Sequence, residues 1–198
     1  MSINAYGQYI VDLVLNNNID GVDLDYEPSS GVWSSSKNMI TLVQYIGQYF
    51  GPKGKYPDKL LVIDFFSSNP PAATGEYASY FVRQAYSQGT GGVQNATNLQ
   101  NYYNSNASAI LPSKFIVEEN FGDFSANGGT PFTEANGNTL TTDGTQMYSL
   151  EGMARWNPIQ GKKGGFGAYY FDRDYYSATG IPYYNVRRCI QIANPAIH

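Results

Sequence analysis

Cysteine and histidine are all but missing from this chain of 198 residues: Cys189 is the sole thiol and His198 the sole imidazole. One cysteine forms no disulfide within the chain and no thiolate metal cluster. One histidine, at the last position, leaves no Ser-His-Asp triad and no multi-histidine metal site. Charge is also scarce. Asp, Glu, Lys and Arg together make up 14% of the residues, against roughly 25% in an ordinary soluble domain. The net charge of −4 offers no basic footprint for nucleic acid or an anionic lipid surface. No apolar run approaches the roughly 20 residues of a membrane span, and no signal peptide is expected ahead of the first helix.

Polarity comes instead from Asn, Gly, Ser, Thr and Tyr, a balance common in proteins that work outside the cytoplasm. The length suits a single domain with a real core. The 18 Tyr and 10 Phe are able to stack on sugar rings, but core and half-buried packing is the weightier account of any single one. Cys189 lies in an apolar pattern and is expected to be buried. Asn95-Ala-Thr and Asn106-Ala-Ser are glycosylation sequons.

Apolar residues at helical spacing predict an amphipathic helix over 3–17 and a second one started by Ser34 to Ser36 and stopped at Gly51-Pro52. "GVDLDYE" (21–27) reads as a strand, and "KLLVIDFF" (59–66) as a strand buried on both faces. Further strands are expected over 80–87, 114–121 and 164–172, with helices over 97–110, 145–157 and 184–194. Residues 122–144 form a long Gly/Asn/Thr-rich loop, of the kind that is usually functional. Strands alternating with helices predict an α/β architecture with parallel strands.

The stretch "NNNIDGVDLDYEPSSG" (16–31) places Asp20, Asp23, Asp25 and Glu27 within eight positions. In a strand, Asp23, Asp25 and Glu27 share one face, with Val22, Leu24 and Tyr26 on the other. Gly21 is expected to relieve crowding on the acidic side. Carboxylates pointing into one enclosed space raise each other's pKa, and Glu27, at the end of the row, is the natural acid to hold and donate a proton. A calcium loop competes with this reading. Asn16, Asn18, Asp20, Gly21 and Glu27 match the EF-hand spacing. Against it stand Asn at the first position, Asp23 where an apolar residue belongs, and Pro28 where a helix should open.

Asp20-Gly-Val-Asp23-Leu-Asp25-Tyr-Glu27 resembles the DxxDxDxE signature on the fourth barrel strand of glycoside hydrolase family 18. Gln84-Ala-Tyr86 resembles the Gln-x-Tyr element of that family's endo-β-N-acetylglucosaminidase branch, and Gly164-Gly-Phe-Gly-Ala-Tyr169 resembles its eighth-strand GGxGxY ending. Neither Trp33 nor Trp156 stands where the chitinase branch carries its eighth-strand Trp. The resemblance implies a (β/α)8 TIM barrel present only in part, with strands four to eight and the preceding helix in residues 1–198 and strands one to three absent. A second chain or an N-terminal segment would complete it.

The activity implied is hydrolysis of a β-1,4 bond next to N-acetylglucosamine, in the chitobiose core of N-glycans, with the substrate's acetamido group as nucleophile. Glu27 would be the acid, Asp25 the acetamido N–H ligand and Asp23 the residue tuning it. Tyr86, Gln84, Tyr169 and Asp20 would contact substrate. The partner implied is an N-acetylglucosamine-containing glycan or glycoprotein, with no cofactor and no metal. A secreted, periplasmic or cell-surface location goes with it. A chitinase and a non-catalytic, lectin-like relative are the alternatives. Lectin-like members typically lack the final Glu, which is present here. Glu118 and Glu119 follow the "KFIV" strand, where one of them is placed to face the cleft, and neither is assigned a role. Asp172 and Asp174 are expected on a solvated turn.

Overall fold

Apolar residues at every second position build strands here, and at every third or fourth build helices. The computed structural model describes residues 2–28, 35–86, 94–121 and 127–195. Trp33, Ser34, Ser87, residues 122–126 and His198 lie outside the described residues. The elements are α1 (Ile3–Asn16), β1 (Gly21–Tyr26), α2 (Ser36–Ile46), β2 (Leu60–Phe65), β3 (Tyr80–Gln84), β4 (Gln94–Asn95), α3 (Ala96–Asn104), β5 (Phe115–Asn120), β6 (Phe132–Thr133), α4 (Ser149–Arg155), β7 (Gly165–Tyr169) and α5 (Tyr184–Ala193). The fold is α/β with parallel strands. Residues 1–83 with 105–115 make one compact unit, and residues 84–104 with 116–198 another.

In the first unit β1, β2 and β3 lie side by side in that order, all parallel. Parallel neighbours need a crossover, and α2 lies in the one between β1 and β2. Leu24 and Tyr26 of β1, Leu61, Ile63 and Phe65 of β2, and Phe81 of β3 are buried, as are Met39, Leu42, Val43 and Ile46 of α2. The strand β2 is not buried on both faces as expected. Leu60 is exposed and Val62 and Asp64 are half-buried, so only its odd-numbered side chains are fully covered.

Gly21 has a different reason from the one expected. A Cβ there would lie 2.1 Å from the Leu60 carbonyl oxygen, so the glycine lets the backbone of β1 start hard against β2. The helix α2 ends at Ile46 with Gly47 as its cap, ahead of Gly51-Pro52.

In the second unit β5 and β7 pair in parallel, with Glu118 opposite Gly167 and Asn120 opposite Tyr169. Phe166 and Ala168 of β7, with Val186 and Ile192 of α5, pack on a cluster of Phe121, Leu150, Ala154 and Cys189. Cys189 is buried, as its apolar setting predicts. The long loop holds a feature that its composition hides: Phe132–Thr133 pairs in parallel with Gln94–Asn95. The helix α4 is shorter than expected. Its end is closed by buried Lys163, whose ammonium donates to the carbonyls of Ala154 at 2.9 Å and Trp156 at 2.5 Å.

Candidate functional site

Along β1 the buried residues are Leu24 and Tyr26, while Asp23, Asp25 and Glu27 are exposed. Asp23 and Asp25 therefore share the face turned away from the core, as the alternation predicts, and Glu27 follows directly on Tyr26, the last residue of the strand. The register with β2 sets Asp64 beside Asp25, adding a carboxyl to that face. Although Asp23 as a residue is exposed, the protein around its carboxyl partly desolvates it and pushes it above its ordinary pKa, and the nearby charge of Asp25 pushes it further. The backbone N–H groups of Asp64 and Leu24 work against this shift. Asp20 stands exposed ahead of the strand, and its backbone carbonyl accepts the Leu60 N–H at 2.8 Å. Asn16 ends α1 and residues 21–26 are strand, so the stretch with EF-hand spacing runs helix, turn, strand and does not wrap as a calcium loop.

In the second unit Gln84 is buried and Tyr86 is half-buried. The Tyr86 hydroxyl donates to Glu118 Oε2 at 3.1 Å. Its ring stacks with that of Tyr169, with centroids 6.0 Å and planes 22° apart. Tyr169 is 45% exposed, so it is available for contact and is not a core residue. Tyr86, Tyr169 and Glu118 thus come together.

Glu118 is the residue of this group that the sequence left without a role, undecided between it and Glu119. The signal for it is period-two alternation: Phe115 and Val117 mark the packed face of β5, so Glu119 follows them inward and Glu118 takes the other face. Glu119 is fully buried, accepts the Ser149 hydroxyl, and accepts the Asn120 N–H at 2.8 Å.

Asp172 is exposed, but Asp174 is fully buried and belongs to no solvated turn. Its carboxylate accepts the Asn185 amide at 2.7 Å and the Val186 N–H at 2.8 Å, closing the start of α5. Asn106 of the second sequon is also buried and donates to Asn69 Oδ1 at 3.1 Å, so its amide does not face a modifying enzyme in the fold. Asn95 caps α3 through the Asn98 N–H at 2.8 Å.

The model of glycoside hydrolase family 18, BT1044-like, matches residues 1–192. This chain belongs to glycoside hydrolase family 18. A curated relative, endo-beta-N-acetylglucosaminidase F2 of Elizabethkingia meningoseptica, is 31% identical over 161 residues, covering 79% of this chain and 44% of the relative. Endo-beta-N-acetylglucosaminidase EndoS of Streptococcus pyogenes serotype M1 is 29% identical over 197 residues, covering 86% of this chain and 20% of that protein. The chain thus spans less than half the length of these curated relatives.

Among solved structures, apo endo-beta-N-acetylglucosaminidase from Cordyceps militaris shares the fold at a TM-score of 0.70 and 24% identity, over 98% of this chain and 63% of that one. In this family 18 chain the first unit carries the acid row and the second carries Gln84, Tyr86 and Tyr169. Among the described residues no group of three His, Cys, Asp or Glu side chains is placed to hold a metal ion. No described helix is long and apolar enough to cross a membrane.

Proposed function

We propose that this protein is a glycosidase that cleaves the β-1,4 bond between the N-acetylglucosamine residues of the N-glycan chitobiose core, with retention. The observation that carries the reading is the acid row: Asp23 and Asp25 on one face of a parallel strand and exposed Glu27 directly after it, in the DxxDxDxE pattern of the family. The two curated relatives, both endo-beta-N-acetylglucosaminidases, support the substrate class.

In this mechanism Glu27 protonates the leaving glycosidic oxygen. The acetamido carbonyl oxygen attacks the anomeric carbon as the bond breaks, giving an oxazolinium ion, one of the exceptions to the two-carboxylate scheme. Asp25 holds the acetamido N–H and stabilises the cation, and Asp23 stands behind it and sets its protonation. Tyr86 donates its hydroxyl to the acetamido oxygen, and Gln84, Tyr169 and Asp20 line the sugar. Glu27, now ionised, takes a proton from the water that opens the oxazolinium.

The five long strands correspond in this reading to strands four to eight of a (β/α)8 barrel, completed by an N-terminal segment or a second chain. A location outside the cytoplasm goes with the composition and the substrate.

The test is incubation with a high-mannose glycoprotein. Wild type is expected to release the glycan, and Glu27→Gln to lose at least about a hundredfold in rate. Equal release by both removes the mechanism. Binding without release by both turns the protein into a lectin-like relative.

A further inference from the structure

Tyr86 has one hydroxyl hydrogen to give, and in this structure it goes to Glu118. The same ring is stacked with Tyr169. The phenol is therefore held on its face by one neighbour and at its tip by another. Glu118 owes its place to the alternation of β5, whose packed face takes Phe115, Val117 and Glu119.

The neighbouring strand adds a second observation. Gly167 lies opposite Glu118 in the register. A methyl at position 167 would meet its nearest neighbour, Glu118 Cγ, at 3.5 Å, an ordinary contact. Gly167 is also not among the glycines with positive φ. Neither local packing nor backbone conformation demands glycine there. What its missing side chain does is leave space beside Glu118.

We propose that Glu118 is a positioning residue acting through Tyr86: it holds the phenol hydroxyl in place before substrate arrives and gives it up to the acetamido oxygen on binding. The proposal rests on the reading of Tyr86 as the ligand of that oxygen. The exchange needs no movement of the ring. Rotation about the phenolic C–O bond redirects the hydrogen, while the stack with Tyr169 keeps the oxygen where it is. Glu118 has to be an acceptor for this role, but it does not have to be charged. That separates it from an acid or base of the reaction.

Four variants and one spectroscopic probe test this. Glu118→Ala leaves the phenol unheld before binding and is expected to lower kcat/KM about fivefold, the cost of ordering one side chain when substrate arrives and not of a bond kept in the transition state. Glu118→Gln keeps an acceptor oxygen at nearly the same place and is expected to stay within about twofold of wild type. Tyr86→Phe loses activity itself, and adding Glu118→Ala to it is expected to cost nothing more. With 3-fluorotyrosine at position 86, the fluorine resonance moves in Glu118→Ala and stays in Glu118→Gln.

The proposal is overturned if Glu118→Ala costs as much in the Tyr86→Phe background as alone, or if Glu118→Gln is as impaired as Glu118→Ala. A fluorine resonance indifferent to Glu118→Ala overturns it as well. Wild-type protein that releases no glycan removes the functional reading instead. The fluorine resonance then decides by itself whether Glu118 holds Tyr86, and Glu118→Gln guards against a merely misfolded alanine variant.

Discussion

The carboxyl of Asp23 is held up first by partial desolvation and then by the charge of Asp25. A raised carboxyl pKa means that the native state binds the proton more tightly than the unfolded chain does. Native stability therefore falls as pH rises from the ordinary value of 3.8 through the raised one, and the whole loss is present above it. Asp23→Asn keeps an oxygen for the N–H groups of Asp64 and Leu24 and removes the charge. It is expected to melt higher than wild type at pH 7 and level with it below about pH 3, as a calorimetric pH series will show, while glycan release falls. A lower melting temperature at neutral pH would mean that the row is not under the repulsion described. Much at this scale was legible, because strand alternation alone orders the acids of residues 23–27. Two things were not. Asp174 reads as a turn residue until the start of α5 is folded against it, and the Tyr86–Glu118 bond joins residues far apart in sequence.

Elements were legible where an apolar face runs long, and their ends were not. A two-residue pairing such as β4 with β6 has no period to read, so residues 132–133 looked like plain loop. The end of α4 depends on a residue outside the helix, the buried Lys163 that takes the carbonyls of Ala154 and Trp156. Burial lowers the Lys163 pKa to about 8, with Lys162 adding to the shift. Between that value and 10.5 the unfolded chain carries more protons than the native one, so this group makes the protein more stable as pH rises across that window. Lys163→Met strands two carbonyls and is expected to cost about 1–3 kcal/mol at pH 7, roughly 2–12 °C in Tm for a chain of this size. The gap from wild type is expected to widen from pH 8 to pH 10.5. A constant gap would show that Lys163 is not desolvated as described.

For the molecule as a whole, the family was legible from an eight-residue motif and two shorter ones, because their fixed residues stand at the spacings that mark the family. The completeness of the barrel was not, since each strand reads the same with or without its neighbour. Among the described strands β7 pairs with β5 alone, and a row of apolar side chains follows it: Phe171 is 57% exposed and Tyr176 79%. On the helix side, a groove of about 510 Å³ is lined by Phe166, Ala168, Phe171, Val186 and Ile190. Apolar surface next to an open strand edge drives association. Expressed as these 198 residues, the protein is expected to cover that surface with a second copy and to sediment above its 21.8 kDa, with a mass that grows with concentration. Phe171→Asp with Ile190→Asp places charge on the groove without touching a buried side chain, since Ile190 is 49% exposed. That double variant is expected to sediment as a monomer with its circular dichroism unchanged. A wild type that is already monomeric at every concentration would show that the edge needs no covering, and would count against the five long strands being part of a barrel closed by another chain.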